Sequence, residues 1–122
     1  MQPLPTITWF EIPTSDFQRA IDFYQAVFKI ELKTMEELGI AMALFPHAEG
    51  MAGGALVSGA PYQPSSDGVV IYLYSNDFDA ALDRIECNGG KVVMPKTEIP
   101  AGLIALFIDS EGNRVGLHTI PQ

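Results

Sequence analysis

The sequence predicts an α+β fold built from two βαβββ modules, and an internal repeat is the main reason. The segment Ser-Asp-Phe-Gln-Arg-Ala-Ile-Asp at residues 15–22 is echoed by Asn-Asp-Phe-Asp-Ala-Ala-Leu-Asp at residues 76–83. Position 15 thus corresponds to position 76, an offset of half the 122-residue chain. Each copy is a helical pattern between one predicted strand and three more. We therefore predict a single domain, residues 1–122, with modules at about 1–60 and 61–122.

The first module opens with a β-branched and aromatic strand at residues 7–12 that ends at Pro13. Thr14, Ser15 and Asp16 each offer an N-cap for the helix that follows. Apolar residues at helical spacing give this helix one apolar face: Phe17, Ala20, Ile21, Tyr24 and Phe28. Three further strands are predicted at 31–37, 40–45 and 51–57, and a segment rich in Pro, Gly and Ser at 58–68 joins the modules.

The second module repeats this plan. A strand at 69–74 precedes a helix that Asn76 or Asp77 caps, and Asn88-Gly89-Gly90 ends that helix because glycine tolerates the left-handed conformation. The helix has apolar residues at the same half-chain offset from those of the first: Phe78, Ala81, Leu82 and Ile85. Strands are predicted at 91–94, 103–108 and 114–120, with a turn at 109–113 between the last two.

Composition excludes several classes of protein. The hydrophobic fraction of 48% and the charged fraction of 18% are those of a globular domain, and the net charge is −8. The seven Lys and Arg residues form no basic stripe, which argues against a nucleic-acid partner. No apolar run approaches the roughly 20 residues of a membrane span. The single cysteine, Cys87, has no partner for an internal disulfide. We expect a cytoplasmic protein with no membrane partner.

Three motifs together resemble the vicinal-oxygen-chelate superfamily, which contains glyoxalase I, bleomycin-resistance proteins and extradiol dioxygenases. They are residues 16–24 with Val27 and Phe28, residues 88–92, and the turn at 109–114, where Ser110 stands at the family's usual proline. The resemblance covers nearly the whole chain and is not specific to one activity. It implies paired βαβββ modules that curl mixed sheets around a cleft, and a homodimer.

The resemblance also implies where a metal ion would bind. Metal-dependent members use His and Glu side chains from the first and fourth strands of each module. In the register of glyoxalase I these positions fall on Trp9, Val70 and Gly116, with Ala55 or Ala52 at the fourth. None of these side chains ligates a divalent ion. We therefore predict no metal site of the family's kind; Zn, Ni, Fe or Mn would need a non-standard ligand set.

The two-residue period of a strand predicts which other side chains line the cleft. Glu11 and His118 are the candidate catalytic residues, with Glu11 as general base and His118 as an acid–base or orienting group. The candidate ligand-binding residues face the same way: Trp9, Tyr72, Tyr74 and Arg114. Each has a structural alternative, such as an ion pair of Glu11 with Arg114 or an edge position for His118. For His47 and Glu49, loop decoration is favoured over a lid.

The sequence is compatible with three functions. The first is a binding or catalytic domain that holds a small organic molecule in the cleft without a metal. The second is a metal-dependent lyase or isomerase of the lactoylglutathione-lyase type, with Glu11 and His118 as ligands. The third is non-enzymatic sequestration of a drug or metabolite, as in bleomycin-resistance proteins. The sequence does not decide whether the protein is an enzyme.

Overall fold

The computed structural model describes residues 6–121, and this part of the chain folds into two four-stranded sheets with two helices. The first sheet has the order β1-β4-β3-β2 and the second β5-β8-β7-β6. The elements are β1 (Trp9–Pro13), α1 (Phe17–Phe28), β2 (Lys33–Glu37), β3 (Ile40–Leu44), β4 (Gly53–Ser58), β5 (Tyr72–Tyr74), α2 (Phe78–Cys87), β6 (Lys91–Ile99), β7 (Gly102–Ile108) and β8 (Arg114–Thr119). The predicted α+β fold of paired βαβββ modules is confirmed. No helix within residues 6–121 is long and apolar enough to cross a membrane.

The two modules repeat with the predicted half-chain offset. Helix α1 begins at Phe17 and α2 at Phe78. In the first module the amide of Thr14 donates to the carbonyl of Val57, and β1 runs parallel to β4. Ser75 and His118, their counterparts in the second module, make the same bond at 2.9 Å, and β5 runs parallel to β8. The repeat is therefore present in the hydrogen-bond register as well as in the sequence.

Two strand boundaries lie three or more residues from the predicted ones. Strand β5 begins at Tyr72 and not at residue 69, because Val69 is 92% exposed and lies in the connection between the modules. Strand β6 continues through Pro95 to Ile99, beyond the expected end at residue 94. A proline is tolerated there because β6 is an edge strand whose pairing with β7 shifts register twice.

Both helices cover one face of the sheets and leave the other face open. The side chain of Asp16 accepts a hydrogen bond from the Arg19 amide at 3.1 Å and so caps α1, and Asp77 is the N-cap residue of α2. The two helices also pack against each other, and Arg84 of α2 donates to the Val27 carbonyl near the end of α1. The helix-facing core includes Ile12, Ala20, Phe23, Tyr24, Val27, Leu56, Ile85, Phe107 and Leu117.

The turn at residues 109–113 joins the modules through buried polar groups. The side chain of Glu111 has no exposed area, and it accepts hydrogen bonds from the Ser15 and Asp16 amides at 2.9 and 2.7 Å. Its other oxygen bonds Arg19 Nε at 2.8 Å. The side-chain amide of Asn113 donates to the Pro13 carbonyl at 2.8 Å. The second module therefore holds the end of β1 and the start of α1 in the first.

A second buried contact extends this junction into the core. The hydroxyl of Tyr24 on α1 donates to Asp109 Oδ2 at 2.6 Å, and Tyr24 is fully buried. Burial, together with the charge of Asp109 and this hydrogen bond, raises the pKa of Tyr24 well above its ordinary value. The other oxygen of Asp109 accepts the amides of Glu111 and Asn113, so the turn is closed on itself.

The environment of Glu111 changes its proton affinity. Burial acts to raise the pKa of Glu111, but the hydrogen bonds from Arg19, Asp16, Ser110 and Ser15 together outweigh it. The pKa falls from the ordinary 4.5 to about 2. A carboxyl group whose pKa is lower in the folded protein than in the unfolded chain stabilises the fold at pH values above its pKa in the unfolded chain. That stabilisation is lost as the pH falls toward the pKa of the group in the folded protein.

We predict that Glu111→Gln lowers the free energy of unfolding by about 3 kcal/mol at pH 7, since it leaves buried donors and Arg19 without their charged partner. Urea denaturation measures this. The matched control is Glu36→Gln, because Glu36 is exposed on β2. Equal stability of Glu111→Gln and wild type would show that the Glu111 carboxylate does not stabilise the junction between the modules.

The pH dependence gives a second test of the same carboxylate. Between pH 5 and pH 2 the wild type should lose about 3 kcal/mol more stability than Glu111→Gln, because only the wild type must protonate this group. Urea midpoints of both proteins across this range measure the difference. Parallel pH profiles for the two proteins would contradict the depressed pKa of Glu111.

Candidate functional site

Strands β1 and β5 are edge strands of different sheets, and each runs parallel to its neighbour in its own sheet. Together they border a cavity of about 560 Å³, here called the interstrand cavity. Its walls are mainly aromatic and aliphatic, and none of the residues that line it is Asp, Glu, Lys or Arg. Polar ends come from His47 in the loop after β3 and from Tyr72 and Tyr74 on β5. The apolar part includes Phe10, Phe28, Ile30, Phe45, Met51 and Leu73. The volume and the lining are those of a small-molecule site.

Two glycines let aromatic rings lie directly on the sheet backbone. A Cβ on Gly53 would come within 2.8 Å of the His47 ring and 3.3 Å of the Trp9 ring. A Cβ on Gly116 would collide with the ring of Tyr72, its partner across β5 and β8. The small residue at 116, where the family resemblance expected a metal ligand, therefore makes room for an aromatic wall.

Trp9 and Glu11 lie together, but their partners differ from those expected. Trp9 Nε1 donates to Glu11 Oε2 at 3.3 Å, and both residues are exposed on β1. Tyr62 lines a small cavity with Glu11, and the interaction of its hydroxyl with that carboxylate raises the pKa of the tyrosine. The ion pair of Glu11 with Arg114, considered as a structural alternative, does not form within residues 6–121; Arg114 Nε donates to the Ser66 carbonyl at 3.1 Å.

A second cavity of about 360 Å³, lined by Trp9, Glu11 and Arg114, brings three of the candidate residues together. Its other walls come from β1 and from the connection before β5, with Val69 among them. Tyr72 and Tyr74 line the interstrand cavity instead. The ligand-binding residues expected from the sequence are thus divided between two cavities, and their role in binding stays a prediction.

His118 and Glu11 lie on different sheets. Nε2 of His118 lies 2.8 Å from the Ala101 carbonyl, so one ring nitrogen is engaged with the loop between β6 and β7. Glu11 lines two cavities, and His118 lines neither of them. Within one chain the structure therefore gives the pair no shared cavity in which to act as base and acid, and the catalytic assignment remains a prediction.

The register positions of the family's metal ligands can be read from the pairing of the strands. Glu11 pairs with Ala55 and Tyr72 pairs with Gly116, while Val70 precedes β5. The side chains of Trp9, Ala55 and Val70 are an indole, a methyl and an isopropyl group, and Gly116 has none, so no side chain at these positions can ligate a divalent ion. Within residues 6–121 no three His, Cys, Asp or Glu side chains cluster closely enough to hold a metal. The residues at these positions do not fit the family's metal centre.

Sequence reasoning missed Tyr62 in this region and favoured a role outside the site for His47. Tyr62 lies in the connection between modules, and no periodic pattern there predicts its contact with Glu11. His47 was interpreted as loop decoration, whereas the structure places it in the wall of the interstrand cavity. The available signal was the pair of glycines at Gly53 and Gly54, since a strand interior with no side chains often marks close approach of another group.

Two curated relatives come from Streptomyces. The chain is 27% identical over 118 residues to the anthracycline biosynthesis protein DauV of Streptomyces sp. (strain C5). It is 26% identical over 118 residues to the anthracycline biosynthesis protein DnrV of Streptomyces peucetius. Each alignment covers 85% of this chain and 43% of the relative, so the chain spans less than half the length of these proteins.

Solved structures share the fold. The antibiotic-binding protein TnmS3 from Streptomyces sp. CB03234 aligns with a TM-score of 0.73 at 24% identity, covering 98% of this chain and 99% of that one. A glyoxalase I mutant from Zea mays aligns with a TM-score of 0.71 at 19% identity, covering 92% of this chain and 46% of the maize chain. At these identities the likeness concerns the fold alone.

A family model described as the Glyoxalase/Bleomycin resistance protein/Dioxygenase superfamily matches residues 6–117. The match covers most of the chain and agrees with the paired βαβββ modules and with the resemblance of the three sequence motifs. The chain therefore belongs to the glyoxalase/bleomycin resistance protein/dioxygenase superfamily.

Proposed function

We propose that the protein binds a small, flat, neutral aromatic molecule in the interstrand cavity without a metal ion. The observation that carries this proposal is the cavity itself, about 560 Å³ in volume and walled by aromatic and aliphatic side chains with no formal charge. A charged ligand would lose its hydration there without gaining a counter-ion. A flat aromatic ligand would instead bury apolar area and stack on the rings of Phe10, Tyr72 and Tyr74.

The comparisons support this choice of ligand class. TnmS3, which shares the fold over nearly its whole length, is described as an antibiotic-binding protein. DauV and DnrV are described as anthracycline biosynthesis proteins. Binding without chemistry is the interpretation that we favour, because the predicted base and acid, Glu11 and His118, share no cavity within the chain. A cytoplasmic location is part of the same proposal.

The metal-dependent lyase is the alternative function, and nothing in the site favours it. The residues at the family's ligand positions, Trp9, Ala55, Val70 and Gly116, offer no donor atoms. Glu11 and His118 would have to supply the ligands, but they line no common cavity within the chain. We therefore propose that ligand binding persists when divalent ions are removed.

We also propose that two chains associate through the outer faces of the sheets, which are turned away from the helices. Trp9, Met35, Tyr72 and Tyr74 on these faces are each more than 40% exposed. Alternate residues of β7 continue the apolar face of the second sheet: Ile104, Leu106 and Ile108. Monomeric proteins rarely leave contiguous apolar surface of this kind uncovered.

Binding is tested with daunomycinone, a neutral anthracycline aglycone, using the fluorescence of Trp9, the only tryptophan. Trp9 packs against Gly53 in the cavity wall, so an occupied cavity should quench its emission. We expect saturable quenching that is unchanged by EDTA. Ala52→Phe should weaken binding at least tenfold, roughly 1.4 kcal/mol or more, because the ring would enter the cavity.

The matched control for Ala52→Phe is Ala80→Phe, an equal enlargement at an exposed position on α2 outside this cavity. It should bind like the wild type. Quenching that Ala52→Phe leaves intact would place the ligand elsewhere. Loss of binding in EDTA that zinc or nickel restores, together with hemithioacetal isomerisation, would favour the lyase instead.

Association is measured by light scattering at micromolar concentration. The wild type should have twice the mass of a single chain. Met35→Glu should shift it toward the monomer, because this side chain lies on the outer face with Met42. Thr34→Glu is the control, since it is exposed on the same strand and points the opposite way. A monomeric wild type would contradict the proposed association.

A further inference from the structure

Three polar groups in the wall of the interstrand cavity form no hydrogen bond with another protein group in the described part of the chain. They are Nε2 of His47 and the hydroxyls of Tyr72 and Tyr74. All three side chains are exposed, Tyr72 at 48% and Tyr74 at 55%, so a ligand that enters the cavity can reach their polar atoms. Polar groups without a partner at an otherwise apolar cavity give a ligand its orientation and its selectivity. The hydrogen-bonding chemistry of these three groups therefore restricts which ligands the cavity can bind.

The hydrogen bond made by the other ring nitrogen of His47 determines what Nε2 can do. Nδ1 lies 3.1 Å from the carbonyl oxygen of Ala48, the next residue. A carbonyl oxygen only accepts, so Nδ1 carries the proton of the neutral ring. Nε2 is then left with a lone pair and accepts a hydrogen bond. A ligand group that meets this atom must be a donor.

The position of the imidazole is held by the backbone beneath it. The ring lies over Gly53 so closely that a Cβ there would come 2.8 Å from Cδ2 and 3.0 Å from Nε2. The indole of Trp9 approaches the same point, at 3.3 Å. His47 is thus an exposed loop residue whose ring rests on strand β4, which reduces the entropy lost when a ligand binds.

The absence of charge among the residues that line the cavity decides which donor is suitable. An ammonium or guanidinium group would find no carboxylate among these residues, so its desolvation would not be offset. A phenolic hydroxyl is a neutral donor in the plane of an aromatic ring, which matches both Nε2 and the aromatic walls. The hydroxyls of Tyr72 and Tyr74 both donate and accept, so they suit further oxygens on such a ring.

We propose that His47 is a specificity-determining residue whose Nε2 accepts a hydrogen bond from a phenolic hydroxyl of a flat aromatic ligand. This inference rests on the proposed function, because it concerns the ligand of the same cavity. It names the ligand class more narrowly, as hydroxylated polycyclic aromatic molecules. It also assigns to His47 a role that neither the strand pattern nor the comparisons indicate.

The test compares 1-hydroxypyrene with its methyl ether, 1-methoxypyrene, which has the same ring and lacks the donor. Energy transfer from Trp9 to the pyrene reports binding of each. The wild type should bind the hydroxyl compound about three- to tenfold more tightly, the range for one hydrogen bond. His47→Phe keeps a flat ring over Gly53 and removes the acceptor, so this preference should disappear while affinity for the methyl ether is retained.

Two further variants support the interpretation of that result. Gly53→Ala displaces the imidazole without removing it and should also reduce the preference, with folding checked by circular dichroism. Glu49→Gln changes an exposed residue of the same loop and should leave the preference unchanged.

The outcomes separate this inference from the proposed function. If Ala52→Phe blocks both pyrenes but His47→Phe keeps the preference for the hydroxyl, the inference is wrong and the proposed function stands. A wild type without any preference, or one that binds daunomycinone and neither pyrene, overturns the inference in the same way. If the wild type binds none of the three compounds, both fail.

Discussion

The buried carboxylate of Glu111 is the contact on which the arrangement of the two modules depends. It lies in the turn before β8, and it accepts hydrogen bonds from the backbone just before α1 and from Arg19. A carboxylate without exposed area is stable only when it is paired and hydrogen-bonded. The first module must therefore stay within hydrogen-bond distance of Glu111. This constraint acts on the position of β1 relative to β5, the two strands that border the interstrand cavity.

The register that would place metal ligands in this family places aromatic walls in this chain. The ring of Tyr72 lies over Gly116, and the rings of His47 and Trp9 approach Gly53. Each ring occupies the volume that a side chain on the glycine would need. The lack of donor atoms at these positions and the presence of an aromatic, uncharged cavity are therefore one structural feature. This feature is the basis of our proposal that the cavity binds a flat organic molecule.

The sequence predicted the fold because the repeat leaves few alternatives: Phe17 and Phe78 begin equivalent helices, and strands on either side follow from periodicity. It was less informative about the site. Period two shows that Glu11 and His118 face the same way on their strands, but only tertiary structure shows that the Ala101 carbonyl engages His118. His47 and Tyr62 lie outside regular elements, where no periodicity relates sequence position to direction.

A crystal structure with bound 1-hydroxypyrene shows most directly whether an uncharged ligand occupies the interstrand cavity. Binding there predicts electron density for the ring between Phe10 and Tyr74, with its oxygen within hydrogen-bond distance of His47 Nε2. Density beside Trp9 and Arg114 in the second cavity, or a metal ion bound by Glu11, would contradict it.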